Sequence, residues 1–118
     1  MILTLIVISQ LPLSFHTYSH SIDADKPKLI IYTEHWPPYQ FIDNQGNITG
    51  LSVDKVTNTL DSVSWPYEII TLPWARAIFQ VHEKPNSLIF SVARFAEREK
   101  NFRWLSILAK VKSKLVTI

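Results

Sequence analysis

The chain contains no cysteine, which excludes disulfide bonds, thiolate zinc sites and a cysteine nucleophile. Its only two glycines are Gly46 and Gly50, so the sequence has no glycine-rich loop that could hold a phosphate. The sequence also has no large excess of positive or negative charge. The 12 Lys and Arg residues nearly balance the 10 Asp and Glu residues and are spread along the sequence, which argues against a nucleic acid partner. Hydrophobic residues make up 47% of the sequence, which is typical of a folded protein, and a length of 118 residues corresponds to one domain.

Residues 1–21 contain no Asp, Glu, Lys or Arg. Their apolar run, Ile2 to Ile8, is too short to span a bilayer, which needs about 20 apolar residues. Ser19 and Ser21 place small residues ahead of a cleavage point. The stretch predicts a secretory signal peptide, a mature domain at 22–118 and a periplasmic location. A buried N-terminal strand is the alternative, because no Lys or Arg precedes the apolar run.

Short apolar runs alternate with segments of helical period in the mature chain, and this order predicts an α/β fold with a parallel sheet flanked by helices. Ligands of such sheets bind beyond the carboxyl ends of the strands. The pattern predicts strands at 29–33, 67–71, 88–92 and 111–118, helices at 51–63 (with Ser52 as N-cap) and 73–81, a hairpin at 41–50 and a helix-prone stretch at 97–101.

Aromatic and charged residues follow the first predicted strand in a segment stiffened by two prolines. They are Glu34, Trp36, Tyr39 and Phe41. Aromatic rings held ready in this way suit a small molecule with an apolar part or an amine. The alternative is that Trp36 and Tyr39 only cover the ends of the strands.

The second and third predicted strands are followed by Trp74 and by a segment carrying Ser91, Arg94 and Arg98. A guanidinium binds a carboxylate through two parallel hydrogen bonds, so these arginines are candidates for holding an anionic ligand. Two alternatives stay open. Trp74 could pack rather than line a cleft, and Arg98 could pair on the surface with Glu97 or Glu99, which contributes little.

Several segments, in their order and spacing, resemble the N-terminal part of the bacterial extracellular solute-binding proteins, family 3. They are Thr33–Tyr39, Gly50–Asp54, Leu72–Ala77, Phe90–Glu99 and Phe102–Leu105. The resemblance implies a type II periplasmic-binding-protein-like fold, a small ligand such as an amino acid or similar carboxylate, and an ABC transporter permease as partner. The four histidines, at positions 16, 20, 35 and 82, do not have the spacing of metal ligands, so no metal or cofactor is predicted. No enzymatic activity is predicted either.

The resemblance also implies roles for individual residues. Tyr39 and Phe41 match the aromatic region that stacks on the ligand, and Arg98 matches the arginine that clamps the ligand carboxylate. Ser91 and Ala93 match positions where the family often directs Ser or Thr toward that carboxylate. Ala93 departs from the pattern because it has no hydroxyl.

Family members are longer than this chain and have two lobes. We therefore expect residues 22–118 to supply most of an N-terminal lobe, with the second lobe missing. A single lobe supplies one wall of the cleft, so weak or no binding is expected from this chain alone. The alternatives are the extracellular sensing domain of a signalling protein, a non-functional truncated gene product, and an enzyme using Glu34 and His35 as acid and base.

Overall fold

The computed structural model describes residues 26–110. The signal peptide predicted at 1–21 and the strand predicted at 111–118 therefore lie outside the described residues. Within the described part the elements are β1 (Leu29–Thr33), β2 (Phe41–Ile42), β3 (Ile48–Thr49), α1 (Leu51–Ser62), β4 (Tyr67–Thr71), α2 (Trp74–Glu83), β5 (Ser87–Ile89) and a 3₁₀ turn (Ala96–Arg98).

Three strands form a parallel sheet in the order β4-β1-β5, as the alternation of strands and helices predicts. Ile31 of the central strand stands opposite Ile69 on one side and Leu88 on the other. Strands rich in β-branched residues suit a sheet that is covered on both faces. The carboxyl ends of all three strands consequently meet at one edge, and the candidate site lies at that edge.

The main core lies between the sheet and α1. Ile31, Val53 and Phe90 are buried together there. Successive side chains of a strand point to opposite faces, so the buried Tyr32 lies on the other face of β1. On the helix α2, Ala77 is fully buried, and this helix contacts β1 and β5. The sheet therefore has a helix packed on each side.

The third strand of the sheet ends earlier than the sequence predicts. β5 stops at Ile89 rather than at residue 92, because Ser91 adopts the left-handed backbone conformation, with φ of 61°. The Phe90 N–H still donates to the Tyr32 carbonyl at 3.3 Å. The chain then turns out of the sheet, and this turn places Ser91 at the edge where the site forms.

The start of α1 differs from the prediction of Ser52 as N-cap. The cap is Gly50, and Ser52 lies inside the helix. The Leu51 and Ser52 amides donate to the carbonyls of Pro38 (3.2 Å) and Tyr39 (2.8 Å). Because these carbonyls satisfy N–H groups that a helix start leaves unpaired, no side-chain cap is needed. The contact also attaches the proline-rich segment to the helix.

The hairpin predicted at 41–50 is present, with β2 and β3 antiparallel. Its turn is closed by Asp43, whose Oδ1 accepts hydrogen bonds of 2.9 Å from the backbone amides of Gln45 and Asn47. These bonds, the one from Asn47 above all, lower the pKa of the Asp43 carboxyl below its usual value of 3.8. The helix-prone stretch at 97–101 is reduced to the short 3₁₀ turn.

Candidate functional site

A concavity of about 250 Å³ lies at the carboxyl edge of the sheet, and we refer to it as the Arg98 concavity. It brings together residues that follow all three strands of the sheet. Its lining consists of Glu34, Trp36, Trp74, Ser91, Ala93, Phe95 and Arg98. Except for Ala93 and Phe95, these are residues that the sequence analysis proposes for ligand binding.

The guanidinium of Arg98 is held between two aromatic rings. Its central carbon lies 4.6 Å from the centre of the Phe95 ring and 5.6 Å from that of Trp74. One of its nitrogens, Nη1, donates to the Ala93 carbonyl at 3.2 Å. No ion pair involves Arg98 among residues 26–110, which differs from the surface pairing with Glu97 or Glu99 considered as an alternative. The remaining N–H groups of Arg98 have no hydrogen-bond partner within the described residues.

Trp74 occupies the first position of α2 because the preceding Pro73 is the helix N-cap. A proline at the start of a helix does not disturb the hydrogen bonds of the following turns. The start of α2 follows β4 directly, so the indole is carried to the carboxyl edge of the sheet. Trp74 therefore lines the concavity because α2 begins just after β4, with Pro73 between them.

Glu34 leaves β1 at the centre of the edge and is half-buried. It lines a second concavity of about 380 Å³ together with His35, Thr71, Leu72 and Pro73. This second concavity borders the end of β4, whereas the Arg98 concavity borders the end of β5. Glu34 therefore contributes negative charge to both.

Trp36 and Tyr39 form an aromatic pair, with ring centres 4.8 Å apart and ring planes tilted by 41°. The Trp36 ring lines the Arg98 concavity. Tyr39 packs on Trp36 but is not part of the lining, and Phe41 lies in β2. The structure thus does not bring Tyr39 or Phe41 into either concavity.

Arg94 is also not brought into the concavity. Its guanidinium donates two hydrogen bonds to the Glu99 carboxylate and lies 5.0 Å from the centre of the Trp104 ring. This pairing raises the pKa of Arg94 and lowers the pKa of Glu99. The pair is exposed, and its guanidinium is engaged with Glu99 rather than with the concavity.

Gln40 is a residue of this site that sequence reasoning missed. It is fully buried, and its Oε1 accepts a hydrogen bond of 2.7 Å from the Ser91 hydroxyl. Its Nε2 and the Oγ1 of Thr33 are buried without a hydrogen-bond partner in the described part of the chain. A buried glutamine is uncommon, but a single sequence gives no means of knowing that this one is buried.

Two further properties concern only residues 26–110. No group of three or more His, Asp or Glu side chains is placed to hold a metal ion. None of the helices there has the length and apolar character needed to cross a membrane.

This geometry, a parallel sheet between helices with an arginine and aromatic rings at its carboxyl edge, is that of a solute-binding lobe. The chain belongs to the bacterial extracellular solute-binding proteins, family 3, whose model matches residues 29–117. This confirms the resemblance found in the sequence.

Solved structures show the same fold at low identity. Holo ArgBP from T. maritima is 22% identical with a TM-score of 0.54, and the match covers 62% of this chain and 33% of that one. An arginine-bound mutant form of domain 1 from TmArgBP is 24% identical with a TM-score of 0.52, and the match covers 62% of this chain and 58% of that one. An ancestral cationic amino acid solute-binding protein is 20% identical with a TM-score of 0.53, and the match covers 62% of this chain and 33% of that one.

The chain therefore has the α/β fold of periplasmic binding proteins, as predicted. The match spans 33% of the length of holo ArgBP and of the ancestral protein. No curated protein matches the chain.

Proposed function

We propose that this chain binds a small zwitterionic solute, such as an amino acid, in the Arg98 concavity. The observation that carries the proposal is the position of the Arg98 guanidinium, fixed by Trp74 and Phe95 and open to an anion. An arginine held in one orientation loses little freedom when it forms paired hydrogen bonds with a carboxylate. Membership of a family of solute-binding proteins supports a binding function rather than catalysis.

The other groups of the concavity favour a ligand with a cationic part. Glu34 provides a carboxylate, and Trp36 and Trp74 provide aromatic faces that attract cations. Solved structures with the same fold include an arginine-bound domain 1 and an ancestral cationic amino acid solute-binding protein. We therefore choose L-arginine as the first probe.

The affinity is expected to be low when the described wall is the only one. Its concavity of about 250 Å³ is smaller than the roughly 300–1,000 Å³ of typical ligand pockets, which enclose most of the ligand. A dissociation constant of about 0.1–10 mM, or roughly −3 to −5 kcal/mol, is reasonable for one wall. The arginine-bound form of domain 1 from TmArgBP supports the idea that one lobe can hold a ligand.

The test is an NMR titration of the full chain with L-arginine, followed through the indole N–H signals of Trp36 and Trp74. Arg98→Gln should weaken binding about tenfold or more, because hydrogen bonds to charged groups contribute about 1.5–3 kcal/mol. Arg94→Gln is the matched comparison, since it removes a nearby guanidinium that pairs with Glu99. We expect it to change the affinity by less than about threefold.

Two results would contradict the proposal. One is the absence of any saturable shift with L-arginine or with a panel of other amino acids. The other is equal weakening by the two arginine substitutions, since that would show a general charge effect rather than a bound carboxylate.

We further propose that the chain acts in the periplasm, delivered by a signal peptide at 1–21, and that it passes its solute to an ABC transporter. The support is the uncharged apolar start of the sequence and the extracellular character of the family. Expression of the full chain in a Gram-negative host, with mass spectrometry of the periplasmic fraction, tests the location. A product that starts at Ile22 is expected, and an uncleaved product retained in the cytoplasm would overturn it.

A further inference from the structure

We propose that a second copy of this chain forms the opposite wall of the Arg98 concavity, so that two chains enclose two solute molecules between them. Each solute is then bound by Arg98 of one protomer and by the partner's Glu34. This inference rests on the function proposed above and adds a protein partner to it. Three features of the face around the concavity favour such a pairing.

The first feature is a pair of opposite charges on one concave face. Glu34 and Arg98 both line the Arg98 concavity, yet neither takes part in an ion pair within residues 26–110. A two-fold axis that passes between them sets the same surface against itself. The cation of each protomer then lies across from the anion of the other, so the face is complementary to its own copy.

The second feature is the type of residue that surrounds the charges. Trp36 and Phe95 are 40% and 48% exposed, and they line the concavity together with Trp74. None of the described lining residues is a lysine. Aromatic residues and arginine are enriched at protein interfaces, whereas lysine is depleted there. The lining therefore has the composition of a contact surface rather than that of ordinary exposed surface.

The third feature is that the described concavity has one wall. Its lining comes from segments at the carboxyl edge of a single sheet, so a solute held there faces water on its other side. Sites that bind small molecules bury about 70–90% of the ligand's surface. A second copy placed over the concavity covers the open side with aromatic rings and charges of the same kind.

The size of the face predicts that the two chains pair only when the solute is bound. Stable interfaces involve about 20–30 residues on each side, whereas seven described residues line the Arg98 concavity. The solute adds contacts by joining Arg98 to the partner's Glu34. Because two chains and two solutes associate, the apparent affinity for the solute should rise with protein concentration.

The first experiment is an NMR titration of the full chain with L-arginine at two protein concentrations that differ about 20-fold, combined with sedimentation equilibrium. The free L-arginine concentration at half-saturation should be about fourfold lower at the higher protein concentration, because it varies with the inverse square root of protein concentration in this association. The sedimenting mass should double on saturation.

The second experiment tests whether one site uses residues of two chains. Glu34→Gln and Arg98→Gln should each weaken binding about tenfold, since each removes a charged partner of the solute. In an equimolar mixture, Arg98 of the first variant faces Glu34 of the second, so binding of wild-type strength should return at about a quarter of the sites. The matched control is a mixture of Glu34→Gln with the double variant Glu34→Gln/Arg98→Gln, which cannot rebuild a site and should show no recovery.

The outcomes separate this inference from the proposed function. If wild type binds neither L-arginine nor any other amino acid at either protein concentration, the proposed function fails, and this inference fails with it. If L-arginine binds with the same affinity at both concentrations and the saturated chain sediments as a monomer, this inference alone is overturned. The absence of recovery in the mixture of folded variants would also overturn it. If circular dichroism shows that a variant does not fold, the concentration series on wild type decides the matter.

Discussion

The guanidinium carbon of Arg98 lies 5.6 Å from the centre of the Trp74 ring. This contact joins the turn that follows β5 to the first residue of α2. It places a cation on an aromatic face at the carboxyl edge of the sheet, where the ends of three parallel strands meet. The orientation of Arg98 therefore depends on a helix that is distant from it in sequence.

Replacement of Trp74 by leucine should weaken the binding of L-arginine by about 2- to 30-fold, since a cation–π contact contributes about 0.5–2 kcal/mol. Trp74→Phe should lose less, because an aromatic face is retained. Phe79→Leu is the control, as Phe79 is 60% exposed on the same helix and does not line the concavity. NMR titrations of the three variants measure the effect, and equal losses for Trp74→Leu and Phe79→Leu would argue against it.

The two glycines should respond differently to alanine. At Gly50, with φ of 128°, an added Cβ would collide with the Tyr39 carbonyl, so the chain must shift where α1 docks on the proline-rich segment. At Gly46, with φ of 84°, a Cβ meets nothing within 4 Å, and only the backbone cost of about 1–2 kcal/mol remains. Urea denaturation should show a clearly larger loss for Gly50→Ala. Similar losses at the two positions would be inconsistent with the close approach.

The core depends on Ile31, which is 1% exposed at the centre of the sheet. Truncation to alanine should lower the free energy of unfolding by about 2–5 kcal/mol, because it removes buried methyl groups and leaves a cavity. Ile42→Ala provides the comparison, since that side chain is 43% exposed in β2 and should lose much less. Thermal unfolding followed by circular dichroism distinguishes the two, and equal shifts in Tm would show that the sheet is not the centre of the fold.

The Asp43 turn predicts a dependence of stability on pH. The pKa of Asp43 in the folded chain lies below its usual value of 3.8. The stabilisation by the ionised carboxylate is therefore complete above that value and is lost as the pH falls through the folded pKa. Asp43→Ala should lower Tm at pH 7, and its difference from wild type should shrink as the pH falls below 3.8.

The control for this pH series is Gln45→Ala. Gln45 lies in the same turn, and only its backbone amide is bonded to Asp43. Any difference between Gln45→Ala and wild type should be the same at every pH. A difference between Asp43→Ala and wild type that persists unchanged to pH 2 would contradict the role of the ionised carboxylate.

Much of the fold follows from local patterns that can be read in the sequence. The apolar, β-branched run at 29–33 and the helical period after Gly50 predict β1 and α1, and alternating strands and helices predict a parallel sheet. Turn residues such as Asp43 predict the hairpin. The end of β5 could not be predicted, because the left-handed conformation of Ser91 arises from its tertiary surroundings rather than from its neighbours in sequence.

The candidate site, like the fold, could be predicted from the sequence only in part. The sequence by itself determined the α/β class and the family, and it predicted Glu34, Trp36, Trp74, Ser91 and Arg98 as candidate ligand-binding residues from their positions after strands. The tertiary structure places these five around one concavity. The positions after strands left both Arg94 and Arg98 as candidates, and the family resemblance singled out Arg98; the tertiary structure shows that Arg98 lines the concavity and why Arg94 does not. Arg94 and Arg98 have the same side chain and both follow β5. Arg94 pairs with Glu99, whereas Arg98 lies between the rings of Trp74 and Phe95. The tertiary structure also revealed Gln40, because burial and a hydrogen bond to a distant serine depend on how strands and loops pack, which no local pattern encodes.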